Sequence, residues 1–208
     1  NMATFSADIA QYSLKEFSAT AEGLGWKIDF SRCAILLHDL LPYYLKVLPT
    51  ELIEEVTHQN QQLVDFAREK DIPLICSAPR AAHTLHQRGL GARLWGLGPS
   101  EEEAHTFALE GLDEPEVPCM RKRSLSAFFA TDLETELRRQ KRDQLIISGV
   151  FTAGGILATS FDALARDIEV FVIADACADF TRERHASALH QIATTTGEVV
   201  PLSAVLEG

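Results

Sequence analysis

Short unbroken apolar runs alternate along this chain with longer stretches in which apolar positions recur every three or four residues. The runs at 33–37, 73–76, 144–150 and 169–174 are continuous and contain β-branched residues, which predicts strands buried on both faces. Between the first two, Leu52, Val56, Leu63, Phe66 and Ala67 line one side of a helix over 50–69, with Thr50 as its candidate cap. Thr131-Asp132-Leu133-Glu134 has the spacing of a capping box for a helix to about Arg142, and Thr181 can cap another that runs to about Ala193.

Strands that alternate with helices of this length imply parallel pairing through right-handed crossovers. The expected fold is therefore an α/β three-layer sandwich around a central, mainly parallel sheet. The expected organisation is one domain over 1–208, with 1–25 as an N-terminal extension packed on it. Ligands of such sheets bind beyond the carboxyl ends of the strands, which directs attention to His38-Asp39, to Ser77-Ala78-Pro79-Arg80 and to 151–155. The stretch 78–118, with Gly89, Gly91, Gly96, Gly98 and Pro99, exceeds the usual length of a connection. It is expected to cover substrate or to face a partner.

Composition narrows the function classes. With 46% hydrophobic and 24% charged residues over 208 positions, the chain is an ordinary globular protein, which excludes disordered and collagen-like classes. A net charge of −11 repels phosphate backbones, and the one compact basic cluster, Arg121-Lys122-Arg123, is too small to make a groove, so nucleic acid is not an expected partner. No apolar run approaches the roughly 18 residues that span a bilayer, and 1–15 lacks the layout of a signal peptide. Neither a membrane nor secretion is expected, and the localisation expected is cytoplasmic. Cys33, Cys76, Cys119 and Cys177 are scattered without a C-x-x-C pair and read as structural filler.

Asp39 ends the most apolar run, immediately before Leu40-Leu41-Pro42. A carboxyl group there must be paired, hydrogen-bonded or protonated, and desolvation raises its pKa toward the range useful to a general acid. The alternative is an Asp that caps the following turn. Lys122 reads either as a solvated surface charge or as a cation that holds a buried Asp ionised, and the two residues change meaning together if they meet in space. Gly149-Val150-Phe151-Thr152-Ala153-Gly154-Gly155-Ile156 is a glycine-rich turn whose amides can hold a carboxylate. It matches neither the dinucleotide nor the P-loop pattern, and no nucleophile-elbow motif occurs elsewhere. His83 and His86, and His185 and His190, lack accompanying ligands at metal spacing, so neither a metal nor a cofactor is expected.

These residues together resemble the isochorismatase-like hydrolases, a superfamily that also contains nicotinamidases and other cysteine amidohydrolases. The resemblance is carried by Ser31 to Asp39, Lys122 with Ser126 to Leu133, Lys141 to Val150, Asp162-Ala163, Arg166 to Phe180, and His185, and it covers nearly the whole chain from about Trp26. The block with its Asp-Ile, Ala-Asp-Ala and Ala-Asp-Phe elements is closest to the isochorismatases and to the phenazine-pathway hydrolase of 2-amino-2-deoxyisochorismate. In the amidohydrolase branches a Cys nucleophile stands where this chain has Gly155, and the isochorismatase branch also has Gly there.

The resemblance implies that protonated Asp39 donates to the methylene carbon of an enolpyruvyl ether, giving an oxocarbenium ion that water captures before pyruvate leaves. It further implies that Lys122 tunes Asp39 and contacts a substrate oxygen or carboxylate, and that Gly155 leaves room where a thiol would stand. Arg88 and Trp95 are expected to bind a carboxylate and cover the ring, with Tyr44, Pro79 and Phe151 also against substrate. A small-molecule carboxylate substrate and a homodimer follow from the same resemblance. The chain ends soon after Leu202-Ser203-Ala204, so no fused carrier domain is expected.

Departures from the family pattern are equally specific. Leu41 and Pro79 stand where the family has Gln, Phe151-Thr152-Ala153 replaces Tyr-Ala-His, and Arg123-Ser124-Leu125 replaces Trp-Arg-Tyr. Leaving a buried substrate oxygen without its polar partner costs roughly 1–3 kcal/mol, which points to a less polar or differently substituted substrate. The competing reading is a former hydrolase kept as a binding or assembly subunit.

Overall fold

The computed structural model describes residues 10–208. Its centre is a six-stranded sheet of β1 (Cys33–His38), β2 (Leu74–Pro79), β3 (Cys119–Lys122), β4 (Gln144–Val150), β5 (Glu169–Ala178) and β6 (Gly197–Val200). The strand order is β3-β2-β1-β4-β5-β6 and every pairing is parallel. All residues of β1, β2 and β4 are buried, which accounts for their unbroken apolar runs. The sequence pattern did not predict β3 or β6. Each has four residues at a sheet edge, and Arg121 and Lys122 give β3 the look of a surface loop.

Helix α1 (Thr50–Glu69) follows β1, with Leu52, Val56, Leu63, Val64, Phe66 and Ala67 buried. Helices α2 (Leu133–Arg139), α3 (Leu157–Leu164) and α4 (Arg182–Thr195) join β3 to β4, β4 to β5 and β5 to β6, and α5 (Leu202–Leu206) packs with α1 against β5. The chain steps one way across the sheet from β1 to β3, then the other way from β4 to β6. Right-handed crossovers in opposite directions put α1 on one face and α2, α3 and α4 on the other.

Caps differ in part from expectation. Thr181 accepts from Arg184 N at 3.1 Å and starts α4 as predicted. Thr50 is the first residue inside α1, with Pro49 in the cap position. The capping box at 131–134 does not form: Asp132 occupies the cap position with no side-chain bond, while Glu134 is drawn to Arg166 at 3.0 Å. The N-terminal extension expected over 1–25 lies outside the described residues for its first nine positions. Its remainder includes a short 3₁₀ turn, Leu14–Phe17, whose Phe17 ring packs edge-on against His185.

The reversal of strand order lies between β1 and β4, and the carboxyl ends of these two strands bracket the site. Gly149 makes their approach possible. Its φ is +118°, and a Cβ there would overlap the His38 carbonyl and stand 2.9 Å from His38 N. In the 78–118 stretch, short helical turns at Leu85–Arg88, Gly91–Trp95 and Glu101–Ala104 bring Arg88 and Trp95 to the same end of the sheet.

Candidate active site

Asp39 leaves β1 in the left-handed region, with φ 54°, a conformation that Asp tolerates better than most residues. The turn aims its carboxylate over the end of β2. Ser77 Oγ donates to Oδ1 at 2.7 Å, and Lys122 Nζ stands 2.7 Å from Oδ2. Lys122 ends β3 opposite Pro79 in the register, so its long stem crosses β2 to reach a residue two strands away. Both side chains are buried, at 5% and 8% exposure. The surface-charge reading of Lys122 is therefore excluded, as is the turn-capping reading of Asp39.

Burial favours the protonated form of Asp39, but the Lys122 charge and the hydrogen bonds from Lys122 and Ser77 hold the carboxyl below its ordinary range. The upward shift expected from desolvation alone is not what this surrounding produces. The unliganded site holds a carboxylate–ammonium pair.

The ammonium is fully engaged. Besides Asp39, it donates to the Leu125 carbonyl at 3.1 Å and to His38 Nε2 at 3.2 Å, which uses all three of its protons. Contact between Lys122 and a substrate oxygen thus requires giving up one of these bonds. His38 is 1% exposed and its Nδ1–H donates to the Val150 carbonyl at 2.6 Å. Burial, opposed by the Asp39 charge and aided by the adjacent ammonium, pushes its pKa down to about 4, so the ring is neutral at pH 7.

Gly155 lies in the wide turn between β4 and α3, which follows a cis peptide between Val150 and Phe151. It does not leave open room. A Cβ at 155 would overlap the His38 ring, 2.6 Å from Nε2, and stand 2.7 Å from the Leu125 carbonyl oxygen. The expected vacancy for a thiol is occupied by imidazole. The turn itself is pinned from β5 and α4: Ala153 N donates to Asp179 at 2.7 Å, and Thr152 Oγ1 donates to His185 Nδ1 at 2.7 Å. His185 in turn donates from Nε2 to the Ala174 carbonyl at 2.9 Å, and burial holds its pKa at about 4. His185 is a strut for the turn.

These groups open on a cavity of ≈ 190 Å³ lined by Asp39, Lys122, Gly155, Arg88, Trp95, Phe151, Pro79 and Tyr44, which the structure brings together from five separate segments. Tyr44 and Phe180 flank Phe151, the first edge-on at 5.8 Å and the second stacked at 4.5 Å. Burial raises the Tyr44 hydroxyl well above its usual pKa, so it is a neutral hydrogen-bonding group. Arg88 donates to the Gly96 carbonyl at 3.2 Å and lies over the Trp95 ring, which presents its guanidinium to the cavity. Of the replaced family positions, Pro79, Phe151, Ala153, Ser124 and Leu125 line the cavity, whereas Leu41 is fully buried and does not.

Sequence reasoning missed Tyr43, Phe180 and Arg184 as lining residues, and it pointed to the strand ends that hold His38 and Ser77 without giving either side chain a role. Arg184 is paired with Asp179 at 3.2 Å. The signal for His38 was its place at the end of β1, next to Asp39, where strand alternation puts its side chain on the opposite face of the sheet from Leu37. None of the four cysteines lines the cavity, and among the described residues no cluster of three His, Cys, Asp or Glu could hold a metal ion. No described helix is long and apolar enough to cross a membrane.

Comparison with known proteins gives a match to the isochorismatase domain over residues 33–203. A probable isochorismatase of Pseudomonas chlororaphis is 35% identical over 182 residues, covering 84% of this chain and 88% of the relative. Phenazine biosynthesis protein PhzD of Pseudomonas fluorescens matches at the same identity and coverage. Among solved structures, a cysteine hydrolase from Pseudomonas syringae superposes with a TM-score of 0.77 at 21% identity, covering 88% of this chain and 94% of that one, a likeness of fold.

Proposed function

Because the chain belongs to the isochorismatase family of hydrolases, we propose that its cavity cleaves the enolpyruvyl ether of isochorismate or a close analogue, such as 2-amino-2-deoxyisochorismate, and releases pyruvate in a secondary-metabolite pathway. One observation carries the reading. A buried carboxyl group, Asp39, sits at the floor of a cavity lined by cations and aromatic rings, and no thiol faces it. Acid chemistry on an anionic, ring-bearing substrate fits that surface, whereas covalent attack lacks a nucleophile.

In this reading the anionic substrate enters beside Arg88 and Lys122, excludes water and adds negative charge next to Asp39. Each change raises the proton affinity of the carboxyl group, so Asp39 takes up a proton as substrate binds. It then protonates the terminal methylene carbon, which becomes methyl as the double-bond electrons shift and leave an oxocarbenium ion. Water adds to the oxygen-bearing carbon of that ion and returns a proton to Asp39. The resulting hemiketal breaks its bond to the ring oxygen, yielding pyruvate and a dihydro-aromatic alcohol. The role of Lys122 is to hold the Asp39 oxygens in place, and Arg88 supplies the bidentate carboxylate contact. Pairing of two copies and a cytoplasmic setting belong to the same reading.

The apolar lining at Pro79, Phe151 and Ala153 favours a second reading, in which the substrate is less polar than isochorismate or the cavity binds without turnover. A coupled pyruvate assay on isochorismate, 2-amino-2-deoxyisochorismate and chorismate separates the two. Release from one of the first two, lowered about 10²–10⁴-fold by Asp39→Asn, is the expected result. No pyruvate from any of them, or full activity in the variant, rejects the acid mechanism.

A further inference from the structure

We propose that His38 is a positioning residue of this site, whose imidazole both aims the Lys122 ammonium at Asp39 and fills the volume that any side chain at position 155 would need. The proposal deepens the hydrolase reading and depends on it only for its kinetic consequence.

The hydrogen bonds fix one tautomer. Nδ1 faces the Val150 carbonyl oxygen at 2.6 Å and must donate to it, which leaves a lone pair on Nε2 for the Lys122 proton at 3.2 Å. A proton on Nε2 would set an N–H against an ammonium. The tripod on Lys122 therefore works only with neutral, Nδ1-protonated His38. Removing that acceptor leaves the ammonium with Asp39 and Leu125 alone, free to swing about the longer contact.

Sterics couple the same ring to Gly155. A Cβ there would meet His38 Nε2 and the Leu125 carbonyl, two of the three groups that hold Lys122. The ring has nowhere to retreat, since it is buried, is held at both nitrogens and sits on a strand hydrogen-bonded on both sides. Gly155 is thus required by the lysine geometry, and β1, through His38, together with the Leu125 carbonyl bars a side-chain nucleophile from the helix start. Installing one would first require a smaller residue at 38.

Three measurements test this. Nitrogen-15 spectra of the unliganded full chain should show one histidine protonated at Nδ1 and bare at Nε2 throughout pH 5–8, absent in His38→Ala; an Nε2–H form or titration within that range overturns the proposal. Gly155→Ala should lower the urea midpoint in the His38 background and much less in the His38→Ala background. Equal drops, or loss of the fold in both, overturn the steric link. In the pyruvate assay His38→Ala should lower kcat about tenfold with little change in KM, and His38→Gln, which keeps an acceptor at the Nε2 position, should recover part of it. Equal activity of the two variants overturns the positioning role. Absence of pyruvate even from the unaltered protein rejects the hydrolase reading instead, while the spectra and midpoints still decide the proposal.

Discussion

Lys122 Nζ lies 2.7 Å from Asp39 Oδ2 although Lys122 ends β3 and Asp39 follows β1, with β2 between them. Neighbouring strands are about 4.8 Å apart, so the two side chains must together bridge roughly 10 Å of sheet edge, which the long lysine stem and the Asp39 carboxylate do by meeting above β2. Breaking a buried pair by removing one partner costs about 3–5 kcal/mol, chiefly because the other charge is left uncompensated. Lys122→Met should therefore destabilise strongly, and Asp39→Asn/Lys122→Met should be more stable than Lys122→Met alone. Urea unfolding of the single and double variants measures the coupling, and strictly additive losses would show that the pair is not energetically linked.

The pH dependence of turnover follows from the ionised state of Asp39. Its pKa is depressed in the free protein, so across pH 5–8 the unliganded site lacks the proton that the reaction needs. Binding then takes up one proton, and kcat/KM should fall as pH rises through this range, approaching tenfold per unit. kcat should stay flatter, because it reports the substrate-bound complex. A kcat/KM that does not change between pH 5 and 8 would contradict proton uptake by Asp39.

Arg88 presents a guanidinium braced by Trp95 and the Gly96 carbonyl. A charge-assisted bond to a substrate carboxylate is worth about 1.5–3 kcal/mol, so Arg88→Ala should raise KM roughly 10–100-fold. Arg88→Lys should recover only part, since an ammonium neither forks onto a carboxylate nor stacks on the indole in the same way. Steady-state kinetics of the three proteins decide it, and an unchanged KM would remove Arg88 from the substrate site.

His38 and His185 predict an acid-sensitive fold. Both are buried and neutral with pKa values near 4, against about 6.5 in an unfolded chain. Between these limits the unfolded state binds more protons, so stability is present above pH 6.5 and is lost as pH falls toward 4. Each histidine contributes a slope of about 1.4 kcal/mol per pH unit. Urea midpoints at pH 7, 6 and 5 should fall accordingly, and His185→Gln should flatten the decline. A midpoint that holds level down to pH 5 would mean that these rings are already protonated in the folded protein.

The sequence was legible where one physical demand acted alone. Strands buried on both faces must be apolar throughout, so β1, β2, β4 and β5 stood out, and crossover handedness supplied the layers. Short edge strands carry no such demand, and β3 went unrecognised because half of its residues are basic. Caps were legible at Thr181, where the local bond forms. They were misleading at Thr131, where Glu134 finds a tertiary partner instead.

What the sequence by itself determined was the α/β fold, the turn of the chain at which the site lies, and the absence of a cysteine at position 155. The ionisation of Asp39 was not decided there, because burial and a cation push its pKa in opposite directions and only their distances set the outcome. Nor was the meaning of Gly155, which depends on a histidine 117 positions earlier in the chain. Two adjacent parallel strands bring these residues into contact, and the tight packing of that contact leaves space for one side chain, which His38 occupies.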